Sequence, residues 1–134
     1  MATIESTPQL VQGVYEKIEK TLGVVRKRLG RPLTYAEKIV LGHLAEPDSQ
    51  EMSAGKAYLA LPPARVAMQA ATAQMALLQF MNAGRTESAV PATVHCDHLI
   101  VARRGASEDL SAAKSENSDV YNFLETVTKK FGIG

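Results

Sequence analysis

The sequence predicts an α/β segment of three-layer α/β/α type, with a short and largely parallel sheet. Two observations predict it. Apolar residues recur in helical steps near both ends of the chain, and between them short apolar runs read as strands set apart by stretches rich in helix formers. A third observation concerns completeness. Only about three strands are legible, at roughly 57–61, 65–68 and 90–96, whereas a parallel sheet normally has both faces covered. The sheet is therefore expected to be completed by something absent from these 134 residues.

Taken in order, residues 1–9 read as a flexible tail and residues 10–134 as one segment of a domain. Leu10, Val14, Ile18, Leu22, Val25 and Leu29 follow one another at steps of three and four, which makes a single stripe on a helix. Gly30 and Pro32 end it. "TYAE", Thr34 to Glu37, is a capping-box pattern and predicts a short helix through about Leu44. "AYLALPPARVAMQ" predicts two extended pieces on either side of Pro62-Pro63. "ATAQMALLQFMNAG" predicts a helix stopped by Gly84, with Met75, Leu78 and either Phe80 or Met81 facing a core. Val90 to Cys96 is β-branched and apolar and predicts a central strand, with Pro91 at its start. Ser107 is the expected cap of the next helix, with Glu108 and Asp109 in its first turn. "KSENSD" interrupts the pattern before a last stripe at Val120, Leu124, Val127 and Phe131, closed by Gly132.

Composition narrows the function. A net charge of +1 gives no electrostatic case for nucleic acid or an anionic membrane as the main partner. Arg26, Lys27, Arg28 and Arg31 read as a solvated helix end. No apolar run approaches the roughly 18–20 residues of a membrane span. The single cysteine, Cys96, excludes an intrachain disulfide and any multi-cysteine metal site built by this chain alone.

The stretch with chemistry is "VHCDHLI", Val94 to Ile100, in which His95, Cys96, Asp97 and His98 are adjacent. In an extended chain His95 and Asp97 point one way, Cys96 and His98 the other, so the four do not converge on one ion. A Cys96 nucleophile needs a cation or helix N-terminus beside it, and the sequence supplies none clearly; a small buried strand cysteine is the simpler reading. His95 reads as a hydrogen-bonded strand histidine. An acid–base pair is the better chemistry. If the strand ends near Cys96, then Asp97 and His98 lie at its carboxyl edge, where open α/β sheets bind ligands. A carboxylate beside an imidazole favours the charged ring, which then serves as an acid. The pair forms only if the backbone turns there.

The order "RPLTYAEKIVLGHL", "RVAMQAATAQMALLQFMNAG", "VPATVHCDHLI", "VYNFLETVTKKFGIG" resembles the N-terminal part of the aconitase family, mitochondrial type, over about residues 14–134. The resemblance implies an incomplete part of that family's first domain. It also implies isomerisation of citrate to isocitrate through cis-aconitate, at a [4Fe–4S] cluster whose substrate-binding iron acts as a Lewis acid. Gln74 matches the family's substrate-binding glutamine. Asp97 and His98 match its aspartate–histidine pair, in which the histidine protonates the departing hydroxyl. The cluster cysteines, the substrate arginines and the serine base match nothing here, so the chain alone is expected to bind no cluster and to be inactive. Relatives commonly carry an aspartate at the position of Ala70, where it could cap the following helix; losing such a cap costs about 0.5–2 kcal/mol. The expected partners are the substrate and the rest of an aconitase chain or another protein subunit, in the mitochondrial matrix or the cytoplasm. The competing expectation is a non-catalytic, aconitase-derived subunit of a larger assembly.

Overall fold

The computed structural model describes residues 6–134, which form two compact units, Ser6–Ala64 and Arg65–Gly134. Residues 1–5 of the expected tail lie outside the described residues.

The first unit is built on α1 (Pro8–Leu29) and α2 (Tyr35–Leu41). Thr7 caps α1 by accepting a hydrogen bond from the Leu10 amide, and Gly30 ends it in the left-handed conformation at φ 63°. Gly30 is suited to that φ because it carries no Cβ. The C-terminal part of the predicted stripe is buried: Leu22 and Val25 join Leu33, Leu41 and Leu44 in a core flanked by Ile18 and Leu29, whereas Leu10 and Val14 are half-buried outside it. The capping box forms as read. Thr34 Oγ1 accepts from the Glu37 amide at 3.2 Å, and Glu37 accepts from the Thr34 amide at 2.8 Å.

The predicted strand at 57–61 does not form. Two prolines follow it, and among the described residues of this unit no strand is present to pair with it. A long-range backbone bond instead ties the Ala45 amide to the Ala60 carbonyl. Met52 and Leu59 then pack against the core.

The second unit is a β–α–β arrangement followed by two helices: β1 (Val66–Gln69), α3 (Ala70–Asn82), β2 (Ala92–His95), α4 (Ala106–Glu116) and α5 (Ser118–Phe131). The strands pair in parallel, with Val66 against Ala92 and Gln69 against His95. Parallel neighbours need a long crossover, which α3 supplies. Among the described residues the sheet has two strands rather than the three expected. The core face carries Val66, Met68, Ala92, Val94 and Cys96, packed with Ala70, Ala73 and Leu77 of α3 and Leu124 and Val127 of α5. Ala67, Gln69, Thr93 and His95 alternate onto the other face.

Two expectations about helices are corrected. Met75 and Leu78 do not face the core; they are 66% and 50% exposed. The buried stripe is Ala70–Ala73–Leu77, because small residues let α3 approach the sheet and α5 closely. Ser107 does not cap α4 either. The helix starts two residues earlier, at Ala106, with Gly105 in the cap position. The side chain that serves this end is Asp109.

Candidate active site

β2 ends at His95, and the chain leaves the extended form two residues later: the Ile100 amide donates to the Asp97 carbonyl at 3.1 Å, closing a turn. This is the bend that an Asp97–His98 pair requires. Within it, His98 Nε2 lies 3.6 Å from Asp97 Oδ2. Both side chains are mostly exposed, 62% and 69% for His98 and Asp97, so the pair faces solvent rather than packed hydrocarbon.

The turn sits just past the carboxyl end of β2. Because Gln69 is in register with His95, the carboxyl end of β1 lies at the same edge. The chain passes from Gln69 directly into α3, so the N-terminus of α3 opens at that edge too. Gln74 is in the second turn of this helix, half-buried beside the Ala70–Ala73–Leu77 stripe. The three predicted residues thus belong to segments leaving one edge of one parallel sheet, the usual location of ligand sites in open α/β sheets. Residue 70 is not the cap expected of an aspartate there. Gln69 holds the cap position, with no side-chain cap bond, and Ala70 is the first helical residue, 1% exposed in the core.

Two further residues brace the chain after β2. The Tyr121 hydroxyl of α5 donates to the Cys96 carbonyl at 3.4 Å, tying the end of β2 to the helix beneath it. Asp109, buried, accepts from three successive amides, those of Arg103, Arg104 and Gly105, at 2.7, 2.9 and 2.9 Å. Those bonds, the Gly105 amide first, hold its carboxyl below the usual carboxylate range despite burial. They fix the loop in which Ala102 takes φ 56° and Gly105 φ 136°. An acidic residue three positions into a helix was visible as a dipole partner; its reach back to the loop was not. His95 makes a hydrogen bond with Thr93 Oγ1 at 2.9 Å, in keeping with a strand histidine.

Among the described residues, no three of His, Cys, Asp and Glu are grouped so as to hold a metal ion. A [4Fe–4S] cluster is held by cysteine thiolates. The one cysteine here, Cys96, lies on the core side of the sheet, and burial, then the charge of Asp97, pushes its thiol pKa up. These residues do not fit a cluster.

Comparison with known proteins agrees in one direction. The family model described as Aconitase family (aconitate hydratase) matches residues 37–134. The chain is 53% identical over 120 residues to a probable mitochondrial aconitate hydratase of Caenorhabditis elegans, an alignment covering 90% of this chain and 15% of that protein. It is 54% identical over 120 residues to mitochondrial aconitate hydratase of Saccharomyces cerevisiae, again 90% and 15%. The mitochondrial aconitate hydratase of Gracilaria gracilis aligns with all of this chain, 49% identical over 134 residues and 17% of its own length. The chain thus spans about one-sixth of the curated relatives it matches.

Proposed function

Because the chain belongs to the aconitase family of hydro-lyases, we propose that it serves as the part of an aconitate hydratase that binds citrate and protonates the hydroxyl leaving it. The observation that carries this reading is the Asp97–His98 pair in the turn past β2, at the sheet edge from which α3 and Gln74 also depart.

Dehydration of citrate removes a hydroxyl from one carbon and a proton from its neighbour. Hydroxide leaves poorly, and a positioned acid that turns it into water lowers the barrier. His98 is the acid: imidazole gains and loses a proton near neutral pH, so one ring protonates the leaving group and takes the proton back on rehydration. Asp97, 3.6 Å from the ring, orients it toward the leaving group. The Gln74 amide, with donors and an acceptor, hydrogen-bonds substrate oxygens. Exposure of the pair leaves it open to a ligand. The base that takes the carbon-bound proton is no residue of this chain, and neither are the cluster ligands. In this reading the whole activity belongs to a longer protein, and the relatives that the chain matches are named as mitochondrial enzymes.

Steady-state kinetics of the full-length protein test the reading. His98→Asn is expected to lower kcat for citrate by about 10²–10⁴-fold with KM little changed, since it removes a transition-state interaction. Gln74→Ala is expected to raise KM. Wild-type turnover in His98→Asn would refute the assignment and favour a non-catalytic role for this segment.

A further inference from the structure

We infer that Asp109 and Tyr121 are positioning residues for His98: they hold the two ends of the turn that carries it, from helices that supply no group to the reaction. The inference rests on the reading of His98 as the acid. The segment between the two anchors runs from Asp97 to Ala102. Before it, the Tyr121 hydroxyl donates to the Cys96 carbonyl at 3.4 Å. After it, the amides of Arg103, Arg104 and Gly105 donate to a single oxygen, Asp109 Oδ2, at 2.7, 2.9 and 2.9 Å. In between, Leu99 packs against the core, and the Ile100 amide closes the turn on the Asp97 carbonyl. Asp97 and His98 themselves project into solvent. Among the described residues, neither side chain makes a hydrogen bond or ion pair other than the one they share. The backbone at the two ends of the turn therefore sets where the ring stands.

The two anchors differ in strength. Hydrogen bonds to an ionised carboxylate are roughly twice as strong as neutral ones. Asp109 accepts three such bonds, whereas Tyr121 makes one neutral and longer bond. Asp109 also accounts for a backbone feature. Ala102, the residue before its three amides, takes φ 56°, where a side chain with a Cβ is held only under constraint. With the carboxylate gone, Ala102 can return to an ordinary φ, and a rotation there swings the link back to Ile100 and His98. The anchors also share a frame with the rest of the edge. Asp109 and Tyr121 belong to α4 and α5, which pack on each other. Through Leu124 and Val127, α5 packs on Ala70, Ala73 and Leu77 of α3, the helix that bears Gln74. The same helix pair therefore sets the distance between the ring and Gln74. Misplacing a reacting group by about 1 Å can cost on the order of 10²-fold in rate, so that distance bears on proton transfer.

The test uses the full-length protein. Asp109→Asn keeps the size and removes the charge; Tyr121→Phe keeps the ring and removes one oxygen. Asp109→Asn is expected to lower kcat for citrate about tenfold with KM little changed, and Tyr121→Phe to lower it by a smaller factor. In the His98→Asn background neither substitution should lower kcat further, because no ring is left to position. An equal fractional loss with and without His98 is the mark of a merely structural role and would overturn the proposal. Residue-resolved hydrogen exchange gives a readout independent of turnover. The Ile100 amide closes the turn and is bonded to neither anchor. Its exchange should quicken several-fold in both variants, while the amides of Leu124 and Val127 in α5 stay as slow as in the unaltered protein. Unchanged exchange at Ile100 in either variant would overturn the proposal for that residue, as would a quickening that extends equally to α5. If Asp109→Asn does not fold, Tyr121→Phe decides both readouts. Wild-type turnover in His98→Asn would refute the acid, and exchange at Ile100 would still decide whether the two residues hold the turn, so the two readings fail separately.

Discussion

At the scale of single residues, two carboxylates stand in different settings. Asp97 faces solvent next to His98; Asp109 is buried and directs its charge at three backbone amides. Asp109→Asn keeps the size but weakens the acceptor, so the Arg103–Gly105 loop should loosen and the melting temperature should fall by several degrees. The sign with pH follows from the lowered pKa. The stabilisation by Asp109 is present above the ordinary 3.8 and is lost as pH falls below it, so the variant's stability should vary less across that range in pH-dependent thermal melts. For Asp97 the informative measurement is a double-mutant cycle with His98 on kcat of the full-length protein. If the carboxylate works through the ring, Asp97→Asn should add little once His98 is Asn. Additive losses would mean that the two act separately. The turn that brings Asp97 and His98 within 3.6 Å was readable, because the apolar run ends at Cys96 and an acid–base pair there requires a bend. The Asp109 cradle was not, because it depends on a loop turning back over the helix start, which no local spacing encodes.

At the scale of elements, caps and stripes were the legible features. α1 buries the middle of its stripe at Leu22 and Val25, α5 buries Leu124 and Val127 of its own, and α2 starts at its capping box. Thr34→Ala should therefore destabilise the unit holding α2 by about 1 kcal/mol in urea unfolding. The same box carries a pH signature. The Arg31 hydrogen bond, then the Thr34 amide, push the Glu37 carboxyl down to about 2 from 4.5. Its contribution is complete above 4.5 and disappears as pH falls through about 2, and Glu37→Gln should flatten melting temperature over that window. Gly42, after α2, is constrained by space: a Cβ there would lie 2.7 Å from the Lys38 carbonyl oxygen and 2.8 Å from Ile18 Cγ2. Gly42→Ala should cost on the order of 1–3 kcal/mol, the usual cost of overpacking, in the same unfolding assay. Faces and pairings were harder to read. Met75 and Leu78 look like core by hydrophobicity, yet Ala70 and Ala73 take the contact because they are small. The alternation at 57–61 looks like a strand, yet a strand exists only where a partner supplies its ladder.

At the scale of the whole molecule, the sheet explains both what was legible and what was not. Two parallel strands with helices packed on their core face put Gln69, His95 and the turn beyond at one edge. That edge was inferable from the strand reading plus the rule for α/β sheets; the strand count was not, since pairing is non-local. The single Cys96 decides a further expectation. This chain, purified and supplied with iron and sulfide, should show no cluster absorbance and form no cis-aconitate. The central claim, that His98 is the acid for the departing hydroxyl, is tested most directly by a crystal structure of the full-length protein with citrate bound. A His98 ring nitrogen within about 2.6–3.2 Å of the citrate hydroxyl oxygen, or one water away, is the predicted result. Citrate bound with its hydroxyl out of reach of that ring would contradict the account.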